Sequence, residues 1–158
     1  MSYWVVGGEY EDTSFKNIKS GEKLDKLGPF ETYDLAKKED ISTLIIVHVL
    51  GHESSILKIK DICSEFNIRL FEDSCEALGS KVAEKKLGSF GLASTFSFYY
   101  GHHISTIEGG MICTSDFEFL QILTSLRSHG WGRDLDKNYS NNLQKKYEIN
   151  DFRNMYSF

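Results

Sequence analysis

The stretch that decides the fold is "TLIIVHVLG", residues 43–51, followed by "SSILKIKDICSEF", residues 54–66, and "NIRLFEDS", residues 67–74. The first segment is an unbroken apolar run closed by a glycine, which is typical of a parallel strand buried on both faces. In the second, apolar residues recur at steps of three and four, which predicts an amphipathic helix capped by Ser54 or Ser55. The third predicts another strand, so the three segments form a βαβ unit.

Further strands follow this unit. Residues 79–91, "GSKVAEKKLGSFG", predict a hairpin or excursion bounded by glycines. "ASTFSFYY", residues 93–100, predicts a third strand, and "GGMICT", residues 109–114, a fourth. Strands that alternate with helices place the protein in the α/β class, with a mainly parallel sheet and flanking helices.

A second helix is predicted from "SDFEFLQILTSLR", residues 115–127. Ser115 and Glu118 have the spacing of a capping box. The predicted buried stripe of this helix consists of Phe119, Ile122, Leu123 and Leu126. Three regions result: a poorly defined N-terminal segment at 1–42, a central α/β portion at 43–134, and an irregular tail at 135–158.

Composition restricts the class of protein. The 158 residues are 41% hydrophobic and 13% aromatic, which is enough apolar mass for one folded domain. A net charge of −5 gives no general attraction to nucleic acid or to an anionic membrane. Three widely spaced cysteines, with no apolar run of about 20 residues and no secretory signal, predict a cytoplasmic protein that does not span a membrane.

Two polar clusters follow predicted strands, and ligands bind at the carboxyl ends of parallel strands. Asp73 ends one strand and could hold a cationic ring nitrogen protonated, or it could equally cap a turn or helix. Ser97 lies in the strand that begins at Ala93 and could bind an anion with its hydroxyl group and nearby backbone N–H groups, although an ordinary strand serine needs no such role. Both clusters could therefore line one crevice.

The second cluster carries two adjacent histidines, His102 and His103. Two neighbours on a strand point to opposite faces, so at most one is expected to be catalytic. Imidazole takes up and returns a proton near neutral pH, which suits a general base, although a histidine can also be purely structural. Adjacent histidines lack the spacing of a helical metal-binding pair, so we predict no metal site.

These segments, taken in order, resemble the DegT/StrS family of sugar-nucleotide aminotransferases, a branch of the fold type I pyridoxal-phosphate enzymes. The matching pieces extend from about Thr43 to Asp134 and read "IIVHVLG", "FEDSCEALGS", "KLGSFGLASTFSFYYGHHISTIEGGMICTSD" and "LRSHGWGRD". The resemblance implies part of the large domain of such an enzyme. It also implies pyridoxal 5'-phosphate (PLP) or pyridoxamine 5'-phosphate (PMP) as the cofactor.

The resemblance also implies roles for individual residues. Asp73 matches the aspartate that pairs with the pyridine nitrogen, and Ser97 matches a serine that holds the cofactor phosphate. Glu76 falls where the family usually has a glutamine near the ring hydroxyl. His102 falls on the position of the lysine that binds the cofactor covalently. A histidine there is typical of the sugar 3-dehydratases of deoxysugar biosynthesis, in which it would act as the proton carrier.

Two functions stay open at this point. The first is an enzyme of nucleotide-sugar and surface-polysaccharide biosynthesis that acts on a nucleotide-linked 4-keto sugar. The second is an inactive remnant of a sugar aminotransferase that persists as a binding module or without function. Family segments that normally precede and follow the matched region have no counterpart here, so we expect a fragment. The resemblance further implies a homodimer in the full-length family.

Overall fold

The computed structural model describes residues 2–7, 14–16, 23–25, 29–38, 41–53 and 55–149. The chain divides into two compact units, Met1–Cys113 and Thr114–Phe158. The first unit contains the predicted βαβ unit and all the candidate site residues.

The described elements follow one another along the chain. The strands are β1 Ser2–Gly7, β2 Ser14–Lys16, β3 Lys23–Asp25, β4 Ile41–Val47, β5 Arg69–Asp73, β6 Lys81–Val82, β7 Lys85–Lys86, β8 Ala93–Ser97 and β9 Gly110–Thr114. The helices are α1 Pro29–Lys38, α2 Ile56–Glu65, α3 Phe117–Arg127 and α4 Lys137–Lys146, and a 3-10 turn spans Val49–Gly51.

The main sheet has five strands in the order β1-β4-β5-β8-β9. Strand β4 pairs in parallel with β1 on one side and with β5 on the other, and β5 pairs in parallel with β8. The α/β class and the mainly parallel sheet are therefore confirmed. Parallel pairing brings the carboxyl ends of β4, β5 and β8 to one edge of the sheet.

The βαβ unit β4–α2–β5 forms the core. Ile46 on β4 and Ile56 and Ile59 on α2 are almost completely buried. Burying side chains of this size stabilises the fold by roughly 1.5–3 kcal/mol each. The predicted serine cap is not seen at Ser55, which has a φ of 54° and no side-chain capping bond. Ser54 lies outside the described residues.

The predicted hairpin is confirmed. Strands β6 and β7 pair in antiparallel fashion, with Lys81 opposite Lys86 and Val82 opposite Lys85. The connecting residues have φ angles of 46° and 63°, which is the left-handed conformation that a two-residue hairpin loop requires.

The second unit corrects three expectations. The cap of α3 is Asp116 and not Ser115, because Asp116 Oδ1 accepts a 2.7 Å bond from Phe119 N. The predicted buried stripe is also wrong, since Ile122 and Leu126 are 42% and 66% exposed. The tail is not wholly irregular, because α4 spans Lys137–Lys146.

The N-terminal segment holds more structure than its weak pattern predicted. Strand β1 lies in the main sheet beside β4. Helix α1 begins at Pro29, a position where proline is favoured because the first helical N–H group needs no partner within the helix.

Candidate functional site

The candidate site lies where β5 and β8 end. Asp73 and Thr95 are directly opposite each other in the parallel register. Because side chains alternate between the faces of a strand, Thr95 and Ser97 share the face that carries Asp73. Two of the predicted cofactor-binding residues therefore lie on the same face at the same edge of the sheet.

Asp73 is half-buried and partly engaged by its own neighbourhood. Its Oδ1 accepts a 3.1 Å bond from Cys75 N and a 3.3 Å bond from Thr95 Oγ1. The bond from Cys75 N closes a turn, as expected if Asp73 caps a turn, which was the alternative to its cofactor role. Both bonds use the same oxygen, and the Cys75 thiol is a further hydrogen-bonding neighbour of this carboxylate.

Glu76 supports the turn that follows β4. Its Oε2 accepts a 2.7 Å hydrogen bond from Leu50 N. Leu50 has a φ of 51°, an uncommon left-handed conformation for a leucine. The carboxylate thus stabilises an unfavourable turn, a structural role that the sequence did not predict.

Ser97 is the last residue of β8 and is half-buried. Its Oγ accepts a 3.2 Å bond from Tyr99 N, two residues further along the chain. A hydroxyl group that accepts through a lone pair keeps its hydrogen for donation. The structure therefore leaves Ser97 able to donate to an anion.

A cavity of about 380 Å³ opens beside these strand ends. Its lining residues are Leu50, Glu76, Gly101, His102 and His103. Glu76 and His102 are therefore brought together, whereas Asp73 and Ser97 are not among the lining residues. Both histidines are among the lining residues, and both lie in the loop after β8, where the alternation of strand faces does not apply. That at most one of them is catalytic stays a prediction.

The loop position of His102 is set by its backbone. His102 N donates a 3.0 Å bond to Tyr99 O, which closes a turn. The imidazole lies 6.3 Å from the Tyr99 ring, centroid to centroid, in an edge-on arrangement. His102 is half-buried, while His103 is exposed.

The sequence reasoning missed Glu72 and His48, which are 1% and 0% exposed. Glu72 Oε2 lies 3.0 Å from His48 Nε2 and accepts a 2.7 Å bond from Gly88 N. Its Oε1 accepts bonds of 2.6 Å from Phe90 N and 2.7 Å from Gly91 N. The available signal was the pair of ionisable residues inside apolar strands, since buried charges need partners.

Two ionisable groups at this edge have shifted pKa values. Burial acts to raise the pKa of Glu72, but the bonds from His48, Gly91, Gly88 and Phe90 outweigh it and lower the pKa below its usual 4.5. For Cys75, burial first and then the neighbouring Asp73 carboxylate raise the thiol pKa to about 11. Cys75 is therefore a protonated thiol at neutral pH and a poor nucleophile.

Over the part of the chain that the structure describes, no group of three or more His, Cys, Asp or Glu residues is arranged to hold a metal ion. The absence of a metal site stays a prediction. None of the described helices has both the length and the apolar character needed to cross a bilayer.

The sequence and the fold of this chain match known proteins. The model of the DegT/DnrJ/EryC1/StrS aminotransferase family matches residues 36–154. The chain belongs to this family. A second model, a domain of unknown function called DUF4170, matches residues 2–39. All four predicted site residues fall within the DegT/DnrJ/EryC1/StrS match.

Two relatives and one solved structure show which members of the family this chain resembles. GDP-4-keto-6-deoxy-D-mannose 3-dehydratase of Escherichia coli O55:H7 is 40% identical over 107 residues, covering 68% of this chain and 28% of the relative. A UDP-4-amino-4,6-dideoxy-N-acetyl-beta-L-altrosamine transaminase of Helicobacter pylori is 32% identical over 116 residues, covering 73% of this chain and 30% of the relative. Both the dehydratase and the aminotransferase branches of the family are therefore represented.

The fold type I assignment is confirmed by a solved family member. The structure of the E. coli GDP-4-keto-6-deoxy-D-mannose-3-dehydratase with bound hydrated PLP superposes with a TM-score of 0.64 at 31% identity. The superposition covers 85% of this chain and 37% of that chain. The chain thus corresponds to just over a third of the solved family structure.

Proposed function

We propose that this chain carries the cofactor-binding strand ends of a PLP- or PMP-dependent sugar 3-dehydratase. The single observation that supports this best is the cavity lining: the described lining residues include two histidines and no lysine. An aminotransferase needs an amine at this place to bind its cofactor covalently. A histidine supports proton transfer instead, with the cofactor held non-covalently.

The donor and acceptor set at the strand ends fits such a cofactor. The Asp73 carboxylate has about four lone-pair sites, so it can accept a ring N–H beside its bonds from Cys75 and Thr95. Ser97 has a hydroxyl hydrogen to give to a phosphate oxygen. Glu76 lies in the wall of the same cavity as His102 and could accept from the ring hydroxyl through Oε1, since Oε2 is bonded to Leu50.

In the proposed reaction, the cofactor, Asp73 and His102 have separate roles. When bound, the cofactor supplies a cationic ring that withdraws electrons from the substrate carbon. Asp73 keeps that ring charged by holding the proton on its nitrogen. His102 carries a proton at one ring nitrogen, which imidazole can do because its two nitrogens alternate between donor and acceptor.

The substrate we propose is a nucleotide-linked 4-keto sugar that loses its 3-hydroxyl group. GDP-4-keto-6-deoxy-D-mannose 3-dehydratase, to which this chain is similar, supports that chemical class. The setting would be surface-polysaccharide synthesis in the cytoplasm. A homodimer, in which a second subunit completes the site, is part of the same proposal.

One observation favours the alternative of a binding module without turnover. The loop that carries His102 has large apolar side chains in contact with solvent, since Tyr100 is 70% and Ile107 is 80% exposed. A site that excludes water needs these side chains covered. If nothing covers them, proton transfer at His102 would compete with bulk water.

Cofactor retention tests the proposal. The purified chain is mixed with PMP and desalted, and the absorbance that remains is measured for wild type, Asp73→Asn and the control Asp61→Asn, which changes an exposed aspartate on α2. We expect wild type and Asp61→Asn to retain PMP and Asp73→Asn to lose it. No retention by wild type would favour an inactive remnant without function, and equal retention by all three would contradict the role of Asp73.

Catalysis is tested separately with GDP-4-keto-6-deoxymannose. Loss of the 3-hydroxyl group is followed by mass spectrometry of the sugar in the presence of PMP. Formation of the 3-deoxy product supports the dehydratase proposal. Retained PMP without any product would support the binding module instead.

A further inference from the structure

The buried carboxylate of Glu72 connects three segments that are distant in sequence. It sits in β5, and its partners are His48 after β4 and the backbone of residues 88–91 before β8. Oε1 accepts from two backbone N–H groups, and Oε2 accepts from one backbone N–H group and contacts His48 Nε2. Within the described residues, Glu72 is thus the common acceptor of the turn after β4 and the loop before β8.

Three backbone N–H donors shared between the two oxygens favour a carboxylate. A glutamine of the same shape has one oxygen and one NH₂ group, so its nitrogen would face one or two of these donors and lose those bonds. A protonated glutamic acid keeps all three only if its hydrogen points to His48 Nε2. Donors to a buried charge give stronger hydrogen bonds than neutral pairs, so the arrangement favours the ionised residue.

His48 contacts both Glu72 and the backbone of the candidate site. Its Nε2 contacts Glu72, while its backbone N donates a 3.0 Å bond to Asp73 O. Its Nδ1 is buried without a hydrogen-bond partner among the described residues, which is a cost that the Glu72 contact must offset. Two residues further on, Leu50 N bonds to Glu76, so the turn after β4 contacts both Asp73 at the end of β5 and Glu76 in the segment after it.

The loop before β8 is shaped to approach Glu72 closely. A Cβ atom on Gly88 would lie 2.7 Å from Phe96 Cζ and 3.0 Å from Ser74 Oγ. A Cβ atom on Gly91 would lie 2.5 Å from Leu70 O. Both glycines therefore permit a backbone position that other residues would push away from the carboxylate.

We propose that Glu72 is a positioning residue, which through His48 and the amides of residues 88–91 fixes the backbone that presents Asp73 and Glu76. The hydrogen-bonded connection stands on the structure alone, and its consequence for the cofactor rests on the proposed function. Among the described residues, His48 is the titratable side chain within hydrogen-bonding distance of Glu72.

The first experiment uses the cofactor-free chain and tests the connection. Couplings across hydrogen bonds are recorded by NMR between the Glu72 side-chain carboxyl carbon and the amide nitrogens of Gly88, Phe90 and Gly91. We expect all three in wild type and in Glu84→Gln, a control that changes a 95% exposed glutamate. Couplings missing from a folded wild-type chain would overturn the proposal, and this test needs no variant of Glu72.

The second experiment tests positioning rather than stability. PMP retention and the pH profile of the bound PMP absorption band are compared in Glu72→Gln and Glu84→Gln, at a temperature where both chains are folded. We expect about tenfold weaker retention and a displaced profile in Glu72→Gln only, as for one or two lost bonds to a charged group. A Glu72→Gln chain that loses stability but keeps the wild-type profile would make Glu72 merely structural.

The two proposals can fail separately. If wild type shows the NMR couplings but retains no PMP, the proposed function is wrong and the connection through Glu72 stands. If wild type retains PMP without the couplings, the proposed function stands and the positioning role is wrong. A Glu72→Gln chain that does not fold leaves the wild-type couplings to decide the matter.

Discussion

Thr95 lies opposite Asp73 in the register of β5 and β8, and its hydroxyl group donates a 3.3 Å hydrogen bond to Asp73 Oδ1. The bond ties one oxygen of the carboxylate to β8. This hydrogen bond is exposed, so it contributes little to the free energy of folding, whereas it acts directly on the orientation of the Asp73 carboxylate. Stability and cofactor retention can be measured separately.

Replacing Thr95 with valine keeps the shape and removes the donor. We expect the free energy of unfolding in urea to change by less than about 1 kcal/mol. PMP retention should fall several-fold, because Asp73 is less well oriented. The control is Thr124→Val, which removes a 2.8 Å bond to Leu120 O on α3. Equal retention in both variants would show that Thr95 does not orient Asp73.

Glu76 should be replaceable by glutamine but not by alanine. A glutamine oxygen can accept from Leu50 N as the carboxylate does, whereas alanine leaves the left-handed turn at Leu50 unsupported. Losing the bond costs about 1 kcal/mol, so the Leu50 amide should exchange with solvent roughly fivefold faster in Glu76→Ala. Hydrogen exchange by NMR measures this, with Glu65→Ala, an exposed change on α2, as the control. Unchanged exchange of Leu50 in Glu76→Ala would rule out the support.

Stability should depend on pH through Glu72. Its pKa is lower in the folded chain than the usual 4.5, so the unfolded chain binds a proton more readily. The stability contributed by Glu72 is therefore fully present above pH 4.5 and is lost as the pH falls through the lowered folded value. Urea midpoints between pH 7 and pH 3 should fall steeply in wild type and in Glu84→Gln, and less steeply in Glu72→Gln. Parallel curves for all three would contradict this account.

Alanine substitutions at two glycines with almost the same φ angle distinguish the cost of backbone strain from the cost of side-chain crowding. Gly88 and Gly79 have φ angles of 86° and 87°, so alanine costs similar backbone strain at both. At Gly79 an added Cβ meets no atom of the described residues within 4 Å, whereas at Gly88 it meets three side chains. We expect Gly88→Ala to be less stable than Gly79→Ala by about 1–3 kcal/mol in urea. Equal losses would mean that the loop before β8 can move away without cost.

Periodicity and strand ends made much of this structure predictable. The βαβ unit was visible because apolar spacing changes from a continuous run to steps of three and four and back. Helix α4 was missed because "KNYSNNLQKK" is almost wholly polar, although Asp136 marks its start by accepting bonds from Asn138 N and Tyr139 N. Local capping residues would have identified that helix where hydrophobic spacing could not.

The connection between His48 and Glu72 was beyond sequence reasoning for a different reason. The two residues are 24 positions apart, and the amides that bind Glu72 lie 16 to 19 positions further along the chain. No local pattern records which strands become neighbours. Asp73, Ser97 and His102 were predicted because each belongs to a polar cluster at the end of a predicted strand, and a parallel sheet gathers such ends at one edge.

The last prediction concerns which histidine faces the cofactor. In the proposed function, position 102 corresponds to the family's cofactor-binding lysine, so His102→Lys should bind PLP covalently. Borohydride would then reduce the link to a stable secondary amine, which is detected as added mass on the peptide that contains position 102.

The wild-type chain gives the background labelling of surface lysines. His103→Lys is the matched control, because His103 lines the same cavity and is exposed. We expect strong labelling of His102→Lys and labelling near background in His103→Lys. Equal labelling would mean that the cavity does not distinguish the two positions, and a reversed result would transfer the role of proton carrier to His103.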